Sequence, residues 1–134
     1  MDAQLVIVID REREDAAYEQ IAAQIREAIA TSVLQAGTAL PGVRSLASDL
    51  GVNLNTVARA YRLLEEQGFV RIRDRSGVEV ATPARHASVE VRATLERELW
   101  ELLVRTRQAG VMPADLRRLV LGLLDRIEGS VTWK

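Results

Sequence analysis

A chain of 134 residues with 48% hydrophobic and 28% charged residues has the size and make-up of one globular domain, or of a compact domain with an appendage. It has no Cys and a single His, His86, which excludes disulfides, a thiol nucleophile and zinc sites built on Cys or on several His. The net charge of −1 argues against a generic polyanion binder, but the charge is unevenly spread: residues 1–43 are net acidic, whereas residues 44–77 hold Arg44, Arg59, Arg62, Arg71, Arg73 and Arg75 against Asp49, Glu65, Glu66 and Asp74.

In chain order, the apolar run Leu5 to Ile9 is too short to span a bilayer and has no basic residues before it. No membrane segment or signal peptide is expected, and the expected location is the cytoplasm. A charged surface stretch follows. Ile21, Ile25, Ala28 and Ile29, with Tyr18 and Ala22 beside them, then predict a helix over 16–32. Gly37, Pro41 and Gly42 mark a loop. A short helix over 43–50 turns Leu46, Ala47 and Leu50 inward and ends on Gly51. Asn53 is a good N-cap for a third helix over 54–67, stopped by Gly68. Two helices joined by a tight turn that contains Gly form a helix-turn-helix pattern. In 69–81, Val70 and Ile72 alternate with Arg71 and Arg73, Val78 and Val80 flank Glu79, and "DRSG" separates the two runs, so a β-hairpin is predicted. Pro83 closes the unit. Beyond it, a helix over 87–109 places Val91, Leu95, Leu99, Leu102 and Leu103 on its inner face. A second helix over 114–128 carries Leu116, Leu119, Val120, Leu123, Leu124 and Ile127 on one stripe.

The third helix has two dissimilar faces. Val57, Ala60, Tyr61 and Leu64 cover one, and Asn55, Arg59 and Arg62 cover the other, with Thr56 at its edge. Most polar stripes of this kind are solvated surface. Here the first two turns hold no acid, and Asn, Thr and Arg are the residue types that reach base edges and phosphates. They crowd the helix N-terminus, the end that a helix-turn-helix presents to the major groove. The basic hairpin reads as a wing against the phosphate backbone or the minor groove, and Gly77 lets the turn backbone approach closely. Arg44 in the first turn of the second helix opposes the helix dipole, which a nearby phosphate would offset. The structural alternative is an ion pair with Asp49 or with an acid of the first helix. His86 has no second ligand near it in sequence, so a metal or catalytic role is not expected.

The string "LPGVRSLASDLGVNLNTVARAYRLLEEQGFV" resembles the DNA-binding domain of GntR-type bacterial transcription regulators, and "YEQIAAQIREAIA" matches the family's first helix. The resemblance covers about residues 5–82, and the short tail resembles the YtrA-type branch. It implies that Arg44, Ser45, Asn53, Asn55, Thr56 and Arg59 lie at or near DNA. It also implies that the wing-tip glycine meets the minor groove, and that the tail is part of a dimer. The chain departs from the family at several positions. Gly42 stands where Ser is common, so the second helix has a weaker N-cap. Leu54 stands where Pro is common, which leaves an apolar side chain near the groove. "TSVLQAG" replaces the common "SGELKPG", and the wing lacks the usual Gly-x-Gly.

The expected architecture is mainly α with a small β-hairpin: a winged helix-turn-helix domain over 1–82 and a two-helix dimerisation region over 85–134. The expected function is a sequence-specific regulator, a repressor rather than an activator, binding a pseudo-palindromic operator as a homodimer. Asn55, Thr56 and Arg59 would read bases, while Arg44, Arg62, Arg73 and Arg75 would hold phosphates. Leu95, Leu99, Leu102, Leu116, Leu119, Val120, Leu123 and Ile127 would form the dimer contact. No enzyme activity, cofactor or metal is expected. The rival reading is a winged helix used as a protein adaptor. A third is a ligand-sensing regulator whose effector site would have to form between subunits, because the tail is short.

Overall fold

The computed structural model describes residues 5–74 and 77–129. The chain divides between Pro83 and Ala84 into two compact units.

In the first unit, α1 (Ala17–Ala30) is followed by β1 (Ala39–Leu40), α2 (Val43–Leu50), α3 (Leu54–Glu66), β2 (Val70–Arg73) and β3 (Gly77–Val80). The helices fall within a residue or two of the spans expected from spacing and capping. Ile21, Ala22, Ile25 and Ala28 of α1 meet Leu46 and Ala47 of α2 and Val57, Ala60, Tyr61 and Leu64 of α3 in one core, closed by Val70, Val78 and Val80 of the hairpin. Ile21, Ile25, Val57, Ala60 and Leu64 are fully buried. Burying an aliphatic side chain of this size contributes roughly 1.5–3 kcal/mol.

Three features depart from the simple hairpin-and-helix expectation. The sheet has three antiparallel strands in the order β1-β3-β2, because Ala39 pairs with Glu79 and Leu40 with Val78. A two-residue strand is too short to show a period of two, so the sequence reads only as loop there. In the hairpin, Val70 pairs with Val80 and Ile72 with Val78. Ile72 is nonetheless exposed, since β2 is the outer strand of the sheet. The third feature follows α1, where Ser32 has φ 60. This is the position at which the related loop carries Gly. The left-handed backbone there costs an L-residue about 1–2 kcal/mol.

The stretch Leu5 to Asp10 lies against α1 without regular pairing. Two α1 glutamines, one turn apart, take the part of a neighbouring strand. Gln24 Oε1 accepts from Val8 N at 2.9 Å, and its Nε2 donates to Val8 O at 2.7 Å. Gln20 Oε1 accepts from Asp10 N at 2.8 Å, and its Nε2 donates to Asp10 O and Asp15 O, both at 3.0 Å. Gln20 is buried and fully satisfied by these bonds. Ile7, just before them, enters the core, and Ile9 between them packs against it.

The second unit contains α4 (Val89–Gln108) and α5 (Pro113–Glu128). The Ser88 hydroxyl caps α4 by accepting from Val91 N at 3.1 Å, and Pro113 occupies the first turn of α5. Gly110, with φ 89, turns the chain between them. Neither helix buries a residue within the single chain, which corrects the expectation that their apolar stripes face inward. Leu95, Leu99, Leu102, Leu119, Leu123 and Ile127 are about half exposed, and only Leu103, Leu116 and Val120 of the stripes are partly covered. Two helices have too little surface to shelter both stripes.

Gln20→Leu removes one donor and one acceptor group at a site where the partners are backbone atoms. Asp10 N and the Asp10 and Asp15 carbonyls lose their bonds. Stability should fall by about 1–3 kcal/mol, read as a lower urea midpoint at unchanged slope.

Candidate nucleic-acid interface

The geometry of the face starts behind it. Tyr61 of α3 is fully buried, and its hydroxyl donates to Pro41 O at 2.6 Å. Burial pushes the phenol well above its ordinary value, so it stays a neutral donor. The bond fixes the loop that launches α2 relative to α3. Gly42 precedes α2 with no side-chain cap, as its identity implies, so among the described residues no side chain caps the first-turn N–H groups around Arg44 and Ser45. At the other end of α2, Gly51 adopts φ 67, the left-handed cap expected there. Arg11 Nη2 donates to Gly51 O at 3.2 Å, placing a cation at the negative end of the α2 dipole.

Asn53 acts as the N-cap of α3, with Oδ1 accepting from Asn55 N at 2.8 Å. Its side chain is thereby engaged in structure at the same place where the family resemblance puts a DNA neighbour. Asn55, Arg59 and Arg62 are exposed on the outer face of α3, Thr56 is half-buried, and Arg44 and Ser45 are exposed on α2. Leu54 is 42% exposed at the start of α3. Among the described residues no acid lies within ion-pair distance of Arg44, Arg59 or Arg62, so the suggested Arg44 ion pair is not formed.

The wing differs. Arg73 Nη2 lies 2.8 Å from Glu79 Oε1, and Arg71 Nη1 lies 3.9 Å from the same oxygen. One central-strand carboxylate thus partly neutralises both arginines. In the sequence Glu79 is only a spacer between two valines. Glu65 at the end of α3 accepts from Ile72 N at 2.7 Å, tying the wing's outer strand to the helix. Gly77 has φ 91 and its missing Cβ faces open space, so the turn needs glycine for its backbone angle. Arg75 lies outside the described residues. The feature that spacing could not reveal is Tyr18 of α1, whose ring lies under the Arg59 guanidinium at 3.9 Å.

A helix, a glycine turn, a second helix with an outward polar face and a hairpin behind it define a winged helix-turn-helix protein. Residues 17–80 match the model of the bacterial regulatory proteins of the gntR family. Over 126 residues the chain is 34% identical to the HTH-type transcriptional repressor YtrA of Bacillus subtilis, covering 93% of this chain and 97% of that one. Two solved structures share the fold. One, described as a transcriptional antiterminator from Listeria monocytogenes EGD-e, has TM-score 0.78 and 29% identity, with 96% of this chain and 98% of that one covered. The other, the GntR-family factor YtrA from Sulfolobus acidocaldarius, has TM-score 0.60 and 38% identity, with 73% and 97% covered. The chain belongs to the GntR family of bacterial transcriptional regulators, and its likeness to YtrA continues through the two-helix tail.

Replacing Glu79 by Gln should free Arg71 and Arg73 of their shared carboxylate. Affinity for DNA of any sequence should rise, and the slope of log affinity against log salt should steepen by about one unit per cation released. Filter binding over a salt series measures both.

Proposed function

We propose that this protein is a sequence-specific DNA-binding repressor that acts as a homodimer on a pseudo-palindromic operator. The observation that carries the reading is the outer face of α3. Asn55, Arg59 and Arg62 stand exposed there, without any ion-pair partner among the described residues, beside the exposed Arg44 and Ser45 of α2. Arginines left unpaired on one rigid surface keep their full charge and donor set for another polyanion. In this reading α3 enters the major groove, where Asn55, Thr56 and Arg59 meet base edges, with Leu54 beside them for thymine methyls. Arg44, Ser45 and the bare first turn of α2 take phosphate. Arg62 adds a backbone contact. On the wing, Arg73 and Arg75 would meet the backbone and Gly77 the minor groove, with Glu79 limiting how much charge Arg73 offers.

Residues 1–82 are the DNA-binding domain in this reading, and residues 85–134 make the dimer. The half-exposed leucines of α4 and α5 favour a second copy as their cover, because a two-fold pair of helical hairpins closes into a four-helix arrangement. The function also requires two copies. One winged helix reads one half-site, and two are needed to span half-sites about one helical turn apart. Repression is favoured by the name of the full-length Bacillus relative. No catalytic role is proposed.

Gel shifts over a salt series test the reading. Steep loss of affinity with salt and a dyad-symmetric motif from in-vitro selection are expected, whereas salt-insensitive or absent binding would reject it. Leu119→Asp combined with Leu123→Asp should yield a monomer, with the helix content of the first unit kept. Its operator affinity should fall about 100-fold or more through loss of the linked second site. Sedimentation and gel shift on the same sample decide this, since a mutant that stays dimeric or a monomer that binds as wild type contradicts the dimer assignment.

A further inference from the structure

We infer that Tyr18, on α1 and outside the helix-turn-helix, is a positioning residue for specificity. Its ring holds the Arg59 guanidinium in one plane, so that the arginine meets a guanine edge already oriented. This rests on the reading that α3 enters the major groove.

The guanidinium carbon of Arg59 lies 3.9 Å from the Tyr18 ring centroid. Arg59 lies in a shallow pit lined also by Arg62, Leu63 and Glu66. Glu66 offers the arginine an obvious alternative, an ion pair within the same pit, but none forms within 4.0 Å. The guanidinium rests on the aromatic face instead. The difference matters for chemistry. An ion pair would occupy the in-plane N–H groups, which are the ones that a guanine O6 and N7 need. A stacked guanidinium uses its flat face and leaves the in-plane fork unspent. No hydrogen bond from Arg59 to another described residue competes for that fork.

Tyr18 is itself well held. It is the second residue of α1 and half-buried against the core, which holds the ring; the hydroxyl makes only an exposed bond to the adjacent Glu19 Oε1 at 3.1 Å. The packing of α1 on α3 therefore carries ring and arginine as one unit. A free exposed arginine must give up side-chain freedom when it binds a base, whereas a stacked one has already given up part of it. Tyr18 would thus act on base choice without touching a base.

The experiment compares wild type, Tyr18→Phe, Tyr18→Leu, Arg59→Ala, Arg59→Lys and the Tyr18→Leu/Arg59→Ala double variant. Each is read by in-vitro selection and by relative affinity for the selected operator and its single-base changes. Arg59→Ala and Arg59→Lys should both lose preference at one base pair per half-site, by about tenfold or more. Tyr18→Leu should lose preference at that same base pair by about 2- to 5-fold, the size of an exposed cation–π contact. Its salt slope and its affinity for random DNA should be unchanged. Tyr18→Phe should behave as wild type, and the double variant should be no worse than Arg59→Ala. A Tyr18→Leu loss spread evenly over all positions, or additive with Arg59→Ala, means that Tyr18 only packs, and the inference fails. It also fails if Arg59→Ala keeps the wild-type motif. If Tyr18→Leu does not fold, the Arg59 side-chain proton shifts decide. Upfield ring-current shifts in wild type and Tyr18→Phe support the stack, and unshifted resonances overturn it. A wild type that selects no motif defeats the DNA-reading assignment itself, an outcome distinct from all of these.

Discussion

The hydrogen bond from the Tyr61 hydroxyl to the Pro41 carbonyl governs how the two helices of the motif stand to each other. Tyr61 sits at the centre of the core on α3, while Pro41 follows β1 and leads into α2. A buried phenol without that acceptor would leave a donor unsatisfied, a cost of about 1–3 kcal/mol. The loop therefore has one favoured height above α3. Arg44 and Ser45 are launched from that loop, so their distance from Asn55 and Arg59 is inherited from a contact made on the buried face of α3. A surface that must match the fixed spacing of groove and phosphate depends on this kind of rear anchoring.

Electrostatically the domain is not a simple positive patch. The helix-turn-helix arginines stand unpaired among the described residues, but the wing arginines share a carboxylate. Glu79 sits on the central strand, in register with both Arg71 and Ala39. An acid at that place lowers the positive charge the wing can offer to any polyanion and leaves α3 as the more basic surface of the domain. The chain's net charge of −1 has the same consequence on a larger scale.

Most of the first unit was legible because its signals are local. Gly51, Asn53 and Gly68 punctuate the helices, and the apolar spacing of Val57, Ala60, Tyr61 and Leu64 selects one face. The string from Leu40 to Val70 then carries the family resemblance. What stayed hidden depends on partners distant in sequence. β1 has only two residues and is defined by its neighbour β3. The glutamine clasp on Val8 and Asp10 looks, in sequence, like ordinary polar helix surface. The Tyr18 ring meets Arg59 only because α1 crosses α3, and no periodicity encodes a crossing. In the tail the helices were legible but their burial was not. An apolar stripe announces that it needs a cover, and the two helices by themselves have too little surface to supply one.

The segment held by Gln20 and Gln24 has a consequence of its own. A true strand is knitted into a sheet, and it leaves only when the sheet opens. Here the backbone at Val8 and Asp10 is held by two side-chain amides and by the burial of Ile7. Releasing such a strap opens no sheet, but it must draw Ile7 out of the core and leave the buried Gln20 amide without partners, so the segment is tied to the same packing that holds α1 in place.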